Sequence, residues 1–388
     1  MKEYKIPFNG RSHNYTEEEI ELVSKIMRDA TTFTQGKYLK EFETKLRDYL
    51  NHPYVFAVSN ATNALELIAQ LCQFRDGDEV IIPSHTYTAS AYPFIKYGAK
   101  IVWADIDLHT RVINLEEIKK KYTAKTRAVV VPHLYGFMAQ MDEIMEWASF
   151  EGLIVIEDCA QSLGTSLNNK MSGTFGHFAC YSFHSQKNIT TLGEGGAIAV
   201  KNRRIAELIP QLRHNGHISY NNQESYWLPA MTNVSIPVLN GSKMMPSNFC
   251  IDEVKCALGS KLIDRIDKIN IFRRKRAIFD FINKINRFSN KLIFHRNWTK
   301  RNCYHLLPAM VVNEDRDWLM IELEKRGIQC AIQYQPLNRY SFYKNLGYRT
   351  ANCPNADLFY DNMISFPFYN TLTNSDIEYI VNSLKEIL

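Results

Sequence analysis

The sequence predicts an α/β fold, with a mostly parallel sheet covered by helices on both faces and a smaller α+β unit behind it. Three observations predict it. Short β-branched runs alternate with amphipathic segments through the first part of the chain. The runs are apolar throughout rather than alternating, as strands are when both faces of a parallel sheet are buried. Beyond about residue 250 the texture changes, and 388 residues exceed the roughly 250–300 at which single cores stop growing.

In order, Tyr54 to Val58 reads as a strand, and Asn63 to Phe74 as the helix after it, with apolar residues at helical spacing. The strand signal repeats at Glu79 to Pro83, Lys100 to Ala104, Ala128 to Pro132 and Leu153 to Glu157. Phe178 to Phe183 and Ala197 to Val200 flank a glycine-rich turn and are expected to form a hairpin-like end to the sheet. Cys250 to Arg287 is helical in pattern and carries the basic cluster Arg273 to Arg276; an α+β region follows and closes with Asn374 to Leu388. These changes place a large domain at residues 1–255 and a small one at 256–388 that includes the connecting helix. The N-terminal segment is expected to pack on the small domain.

A formal net charge of +5 and a pI near 8.6 favour anionic small molecules slightly and do not argue for nucleic acid. The first residues lack a signal peptide's apolar core, and no run reaches the roughly 20 apolar residues of a membrane helix. The expectation is a cytoplasmic protein with no membrane partner. Eight scattered cysteines without a Cys-x-x-Cys pair read as reduced apolar fillers. No metal site is expected, since His214 and His217 lack a third ligand at suitable spacing.

Ligands of a parallel α/β sheet collect at the carboxyl ends of its strands, so the residues after each run are the ones that matter. Ser59 to Asn63 are small and hydroxyl-bearing and enter a helix, where free N–H groups can hold a phosphate; an ordinary N-cap is the alternative. Tyr87 offers an aromatic face at the same rim, or simply packs. Asp158 and Gln161 follow the next buried strand, where a carboxylate is costly unless it meets a cation. Lys187 lies in the hydroxyl- and glycine-rich turn after Phe183, and a lysine is costly to desolvate there unless it reacts or pairs. A structural Lys187–Asp158 ion pair would account for both residues. Pyridoxal phosphate accounts for more, with Lys187 as Schiff base, Asp158 on the pyridine nitrogen, Tyr87 over the ring, and Ala61, Thr62 and Ser182 round the phosphate.

Thr34-Gln35-Gly36, Val58 to Leu65, Gly77 to Pro83, Val131 to Gly136, Glu157 to Gln161, Ser182 to Gly196 and Tyr334 to Leu337 follow one another in a specific order. By these motifs the whole chain resembles the DegT/StrS-type sugar aminotransferases, which are fold-type I pyridoxal phosphate enzymes. The resemblance implies a seven-stranded, mostly parallel sheet in the large domain. It implies that Lys187 is Schiff-base lysine and proton shuttle, Asp158 the pyridinium partner, and Gln161 a contact to the ring. Ala61, Thr62, Ser182 and Tyr87 match cofactor positions, and His184 lies beside the site.

The resemblance further implies a homodimer with shared sites, Asn248 giving its phosphate contact to the neighbouring subunit. Cys250 stands where the family motif usually has arginine, Gln333 and Asn338 where histidines are common, and Trp227 to Ser247 departs from the usual pattern. Gln333, Asn338 and His184 are the candidate substrate contacts. The implied reaction is a two-stage transamination from L-glutamate to a keto sugar, most simply nucleotide-linked, with a smaller phosphorylated ketone as alternative acceptor. Lys187 argues against the dehydratase branch, which has histidine there. A non-catalytic regulator or nucleic-acid binder using Arg273 to Arg287 is the reading from another class; such a run is usually a solvated helix face.

Overall fold

A computed structural model of the chain describes residues 3–9, 13–217, 233–295, 299, 301–348 and 351–388. The chain enters through α1 (Glu17–Asp29), whose Thr16 and Glu19 form a reciprocal capping box, and α2 (Lys37–Leu50). The large sheet is built from β1 (Val55–Val58), β2 (Glu79–Pro83), β3 (Lys100–Ala104), β4 (Thr126–Pro132) and β5 (Ile154–Asp158). After the short ribbon β6 (Ser166–Leu167) and β7 (Lys170–Met171) come its last members, β8 (Phe178–Ser182) and β9 (Gly196–Val200). Their order is β1-β9-β8-β5-β4-β2-β3. β9 pairs antiparallel with both β1 and β8 while the other pairs are parallel, so β9 alone runs against the sheet.

The expected hairpin of β8 and β9 forms, but it does not end the sheet. β1 lies outside β9, with Val55 opposite Ala199 and Val58 opposite Gly196. All five residues of β9 are buried, an interior strand's pattern, whereas β1 keeps Phe56 partly exposed. The helix after β1, α3 (Ala61–Leu71), starts two residues before its apolar periodicity, because Asn60 caps it by accepting from Asn63 N at 2.8 Å.

One face of the sheet is closed by α2 and the helix Glu253–Ile263, whose Cys256, Leu258 and Leu262 join Phe42, Leu46, Ala57, Ala179 and Ala199 in one buried cluster. That helix runs through the expected break between residues 255 and 256. After the ribbon β10 (Val238–Leu239) and β11 (Ser242–Lys243), the smaller C-terminal α+β domain has an antiparallel sheet of β12 (Leu292–Phe294), β13 (Leu307–Val311) and β14 (Met363–Phe366). The N-terminal segment reaches this part of the chain, since Ile6 bridges Ile328 and Phe8 N donates to Gln329 Oε1 at 3.0 Å.

The basic cluster is not a wholly solvated face. Arg273 is buried and donates to the carbonyls of Tyr304, His305 and Phe368 and to Asn370 Oδ1, while Arg276 binds the Leu372 carbonyl and Asn374 Oδ1. Two of the four cations therefore tie the helix Ile266–Lys275 and the turn after it to the C-terminal domain. Among the described residues no helix is long and apolar enough to cross a membrane.

Candidate active site

The carboxyl ends of β1, β2, β4, β5 and β8 surround a cavity of about 340 Å³. Ala61, Thr62, Tyr87, Asp158, Gln161, Ser182, His184, Lys187 and Gln333 all line it. Asn338 does not; it is buried in the turn Leu337–Arg339 with its Oδ1 unpartnered. Asn248 does not either; it is exposed, bridges His214 through the backbone, and accepts from Cys250 N at 3.4 Å. Of the divergent stretch Trp227 to Ser247, residues 227–232 lie outside the described residues, and the rest forms the β10–β11 ribbon with Leu239 and Met244 buried. A larger groove of about 1100 Å³ opens at the opposite end of the sheet, among Arg75, Arg127, Lys201 and Lys243, and contains none of the expected site residues.

Asp158 closes β5. Its Oδ2 accepts from Ser90 Oγ at 2.6 Å and its Oδ1 from Ala160 N at 3.0 Å and Cys180 Sγ at 3.4 Å. No cation is among these partners, so the structural Lys187–Asp158 pair is not formed. Lys187 lies between β8 and β9 in a turn held by Lys187 N to the His184 carbonyl at 2.9 Å, Thr191 N to the Phe183 carbonyl and Phe183 N to the Gly195 carbonyl. Burial lowers the amine from 10.5 to about 8, with the Asp158 charge the strongest opposing influence.

Gln161 is fixed at both ends. Its Oε1 accepts from Tyr135 N at 2.7 Å, and its Nε2 donates to the Tyr334 hydroxyl at 3.0 Å. The Tyr87 ring is 54% exposed and meets Tyr334 edge-on at 5.8 Å, which leaves a face open to the cavity. The N-cap reading is met by Asn60, which satisfies only Asn63 N and leaves the N–H groups of Ala61 and Thr62 free at the helix start, facing the cavity. Gly196 keeps that start in place: a Cβ there would lie 2.4 Å from the Asn60 carbonyl carbon and 2.6 Å from Ala61 N.

Several residues that shape the site escaped the sequence reading. Asn188 Nδ2 donates to Asn270 Oδ1 at 2.9 Å and to the Cys303 carbonyl at 3.0 Å, and its Oδ1 faces His305 Nδ1 at 3.2 Å. His13 Nε2 donates to the Lys187 carbonyl at 3.0 Å. Residues far apart in the chain thus grip positions 187 and 188. Ser90 and Tyr334 were also missed, although Tyr334 belongs to a recognised motif.

One metal-like cluster, His133, Glu157 and Cys159, exists among the described residues. Its imidazole and carboxylate are occupied: Glu157 accepts from His133 Nε2 and from the N–H groups of Gly173, Phe175 and Gly176, and His133 Nδ1 accepts from Ala139 N. The cluster is a hydrogen-bonded strut.

A free helix N-terminus for a phosphate, a carboxylate at a strand end for a pyridine nitrogen, an open aromatic face and an unpaired lysine of lowered pKa together fit pyridoxal phosphate. Residues 13–385 match the model of the DegT/DnrJ/EryC1/StrS aminotransferase family. The chain belongs to this family. It is 32% identical over 384 residues to an uncharacterized protein of Methanocaldococcus jannaschii, covering 96% of this chain and 95% of that one. A GDP-perosamine synthase of Vibrio cholerae is 28% identical over 364 residues, covering 91% of each. A Streptococcus pneumoniae chain solved in its PLP form, described as a candidate sugar aminotransferase, superposes with a TM-score of 0.84 at 27% identity over 99% of this chain and 98% of that one. The protein is a pyridoxal phosphate-dependent aminotransferase of fold type I.

Proposed function

We propose that this aminotransferase moves an amino group from L-glutamate to a nucleotide-linked keto sugar in two half-reactions, as a homodimer whose sites are completed across the interface. The observation that carries this reading is the amine of Lys187, left unpaired beside a hydrogen-bonded carboxylate in a cavity that also offers a helix N-terminus. The relation to a GDP-perosamine synthase supports a nucleotide-sugar acceptor. The exposed Asn248, absent from the lining of this chain's own cavity, suits a residue given to the neighbouring subunit.

Bound pyridoxal phosphate supplies an electron sink for the negative charge that develops at the substrate carbon. The residues do the rest. The N–H groups of Ala61 and Thr62, with Ser182, would hold its phosphate, and Tyr87 would offer its open face to the ring. Asp158, oriented by Ser90 and Ala160 N, would keep the ring nitrogen protonated. Lys187 Nζ would take the proton from the donor's α-carbon in the first half-reaction and deliver one to the acceptor carbon that receives the amine in the second, a task suited to an amine lowered to about 8. His184, whose Nδ1 accepts from Gln186 N, and Gln333 stand at the wall where substrate enters.

The test is the visible spectrum of the purified protein with pyridoxal phosphate, before and after L-glutamate, with Lys187→Ala as control. Bleaching of a lysine-linked band in the wild type, absent in the variant, supports the glutamate half-reaction and yields the aminated cofactor form for screening keto sugars. A band that glutamate leaves unchanged would retire glutamate as donor, and no band at all would retire Lys187.

A further inference from the structure

His305 keeps one ring nitrogen in reserve beside the reactive lysine. It lies just before β13, 5% exposed, with its main chain held at both ends: its N–H donates to the Tyr135 carbonyl at 2.8 Å, and its carbonyl accepts from Arg273 Nη2 at 2.6 Å. The neighbours fix the ring's tautomer. Asn188 Nδ2 donates to the Cys303 carbonyl and to Asn270 Oδ1, and Asn270 Nδ2 donates in turn to the Leu163 carbonyl, so main-chain acceptors orient both amides. Asn188 therefore presents its oxygen to His305 Nδ1 at 3.2 Å, and an oxygen there requires the proton on Nδ1. The imidazole stays neutral, because burial first and then the Lys187 charge hold it well below 6.5. Nε2 is left as a bare acceptor.

Among the described residues no group bonds Nε2, and unlike the buried, unpartnered Nδ1 of His85 it is not sealed off. His305 lines a second, smaller chamber of about 50 Å³ whose apolar walls are Phe8, Leu306 and Phe368. That is room for a few water molecules. The exposed Asn9 and Gln186 also line it, so the chamber reaches solvent. It shares Gln186, Lys187, Gln333 and Tyr334 with the cofactor cavity, which puts Lys187 where the two spaces meet. The Lys187 amine is likewise neither bonded nor sealed.

A neutral imidazole whose lone pair opens on such a space accepts from water, and that water accepts in turn from an ammonium. We propose that His305 is a positioning residue: through Nε2 it orders a water molecule of this chamber against Lys187, and the lysine exchanges its proton with solvent through that water rather than across the substrate-filled cavity. The Lys187 ammonium gives one proton to the water and takes another back, so charge is unchanged and no further reactant is needed. This rests on the transamination proposed above, in which the proton exchanged is the one that Lys187 moves.

The test uses the holoenzyme in heavy water with L-glutamate, and compares the deuterium gained at the glutamate α-carbon, read by NMR, with bleaching of the lysine-linked band. The wild type should return α-deuterated glutamate. His305→Asn keeps a donor for Asn188 but empties the Nε2 place; it should lower the ratio of exchange to bleaching about five- to tenfold, the weight of one hydrogen bond. His305→Gln, which puts an amide back at the Nε2 place, should restore most of that ratio. A merely structural role would slow both processes together. Undeuterated glutamate from a wild type that bleaches, or an unchanged ratio in His305→Asn, would overturn the assignment. Failure to bleach at all counts against glutamate as donor, and the crystal structure of the wild-type holoenzyme then decides alone. An ordered water within hydrogen-bonding distance of His305 Nε2 supports the proposal, and a dry chamber overturns it.

Discussion

Glu157 and Asp158 are neighbours at the end of β5, and the strand's alternation sends them to opposite faces of the sheet. Glu157 is saturated by three backbone N–H groups and His133, and its pKa falls below the usual value because those donors outweigh a large desolvation cost. Asp158 is only partly occupied, by Ser90, Ala160 N and Cys180, and opens on the cavity that holds an unpaired amine. The contrast separates a carboxylate that holds a loop from one that waits for a ligand. Burial alone does not distinguish them; the remaining acceptor capacity does.

The strongest way to break this contrast is on the functional side. Lys187→Ala should lower turnover by ~10⁴-fold while leaving the unfolding midpoint of the apoenzyme level or higher, because a desolvated amine is removed. Asp158→Asn should cost ~10²–10³-fold in turnover, with the fold intact by circular dichroism. Glu157→Gln should show the reverse pattern. Putting an amide donor among four donors destabilises by about 2–4 kcal/mol in urea titration, while turnover per folded molecule stays within a factor of two or so. Were Glu157→Gln to impair turnover without touching stability, the division of labour at the end of β5 would be wrong.

Two smaller effects sharpen the same point. Burial holds His13 down at about 4 while it contacts the Lys187 carbonyl. The unfolded chain takes up that proton first, so wild-type stability is lost as the pH falls from 6.5 toward 4. His13→Gln should be flatter across that window by about 2–3 kcal/mol, read from urea midpoints at several pH values. Ser90→Ala removes one hydrogen bond to Asp158 and should lower turnover ~10-fold, with little change in stability.

The sheet was legible because its strands are buried on both faces, which leaves an unmistakable run of Val and Ile. The cofactor cavity was legible because parallel strands deliver their next residues to one rim, so Ala61, Tyr87, Asp158 and Lys187 could be gathered without knowing the strand order. What stayed hidden depends on long-range pairing. The outer place of β1 follows from an antiparallel match with β9, which local pattern does not encode. Asn188, His13 and His305 act through contacts between distant segments, and a lone polar residue carries no periodic signal. Arg273 and Arg276 misled for a related reason: a cation run looks solvated until the carbonyls it reaches are known.

The reversed strand β9 also bears on how the chain is made. Among the described residues β1 pairs in the sheet with β9 alone, so Val55 must wait until Ala199 has been synthesised before it can pair. The helix that opens the phosphate end of the cavity hangs directly from β1, and its first turn rests on Gly196. A growing chain with β9 still inside the ribosome therefore has its catalytic-end residues scattered, with the N-terminal strand an unmatched edge open to wrong partners. The phosphate end of the cavity is therefore expected to form only once β9 has left the ribosome, and a series of stalled chains in which residues 196–200 successively emerge would show it as the length at which protection of β1 from proteolysis first appears.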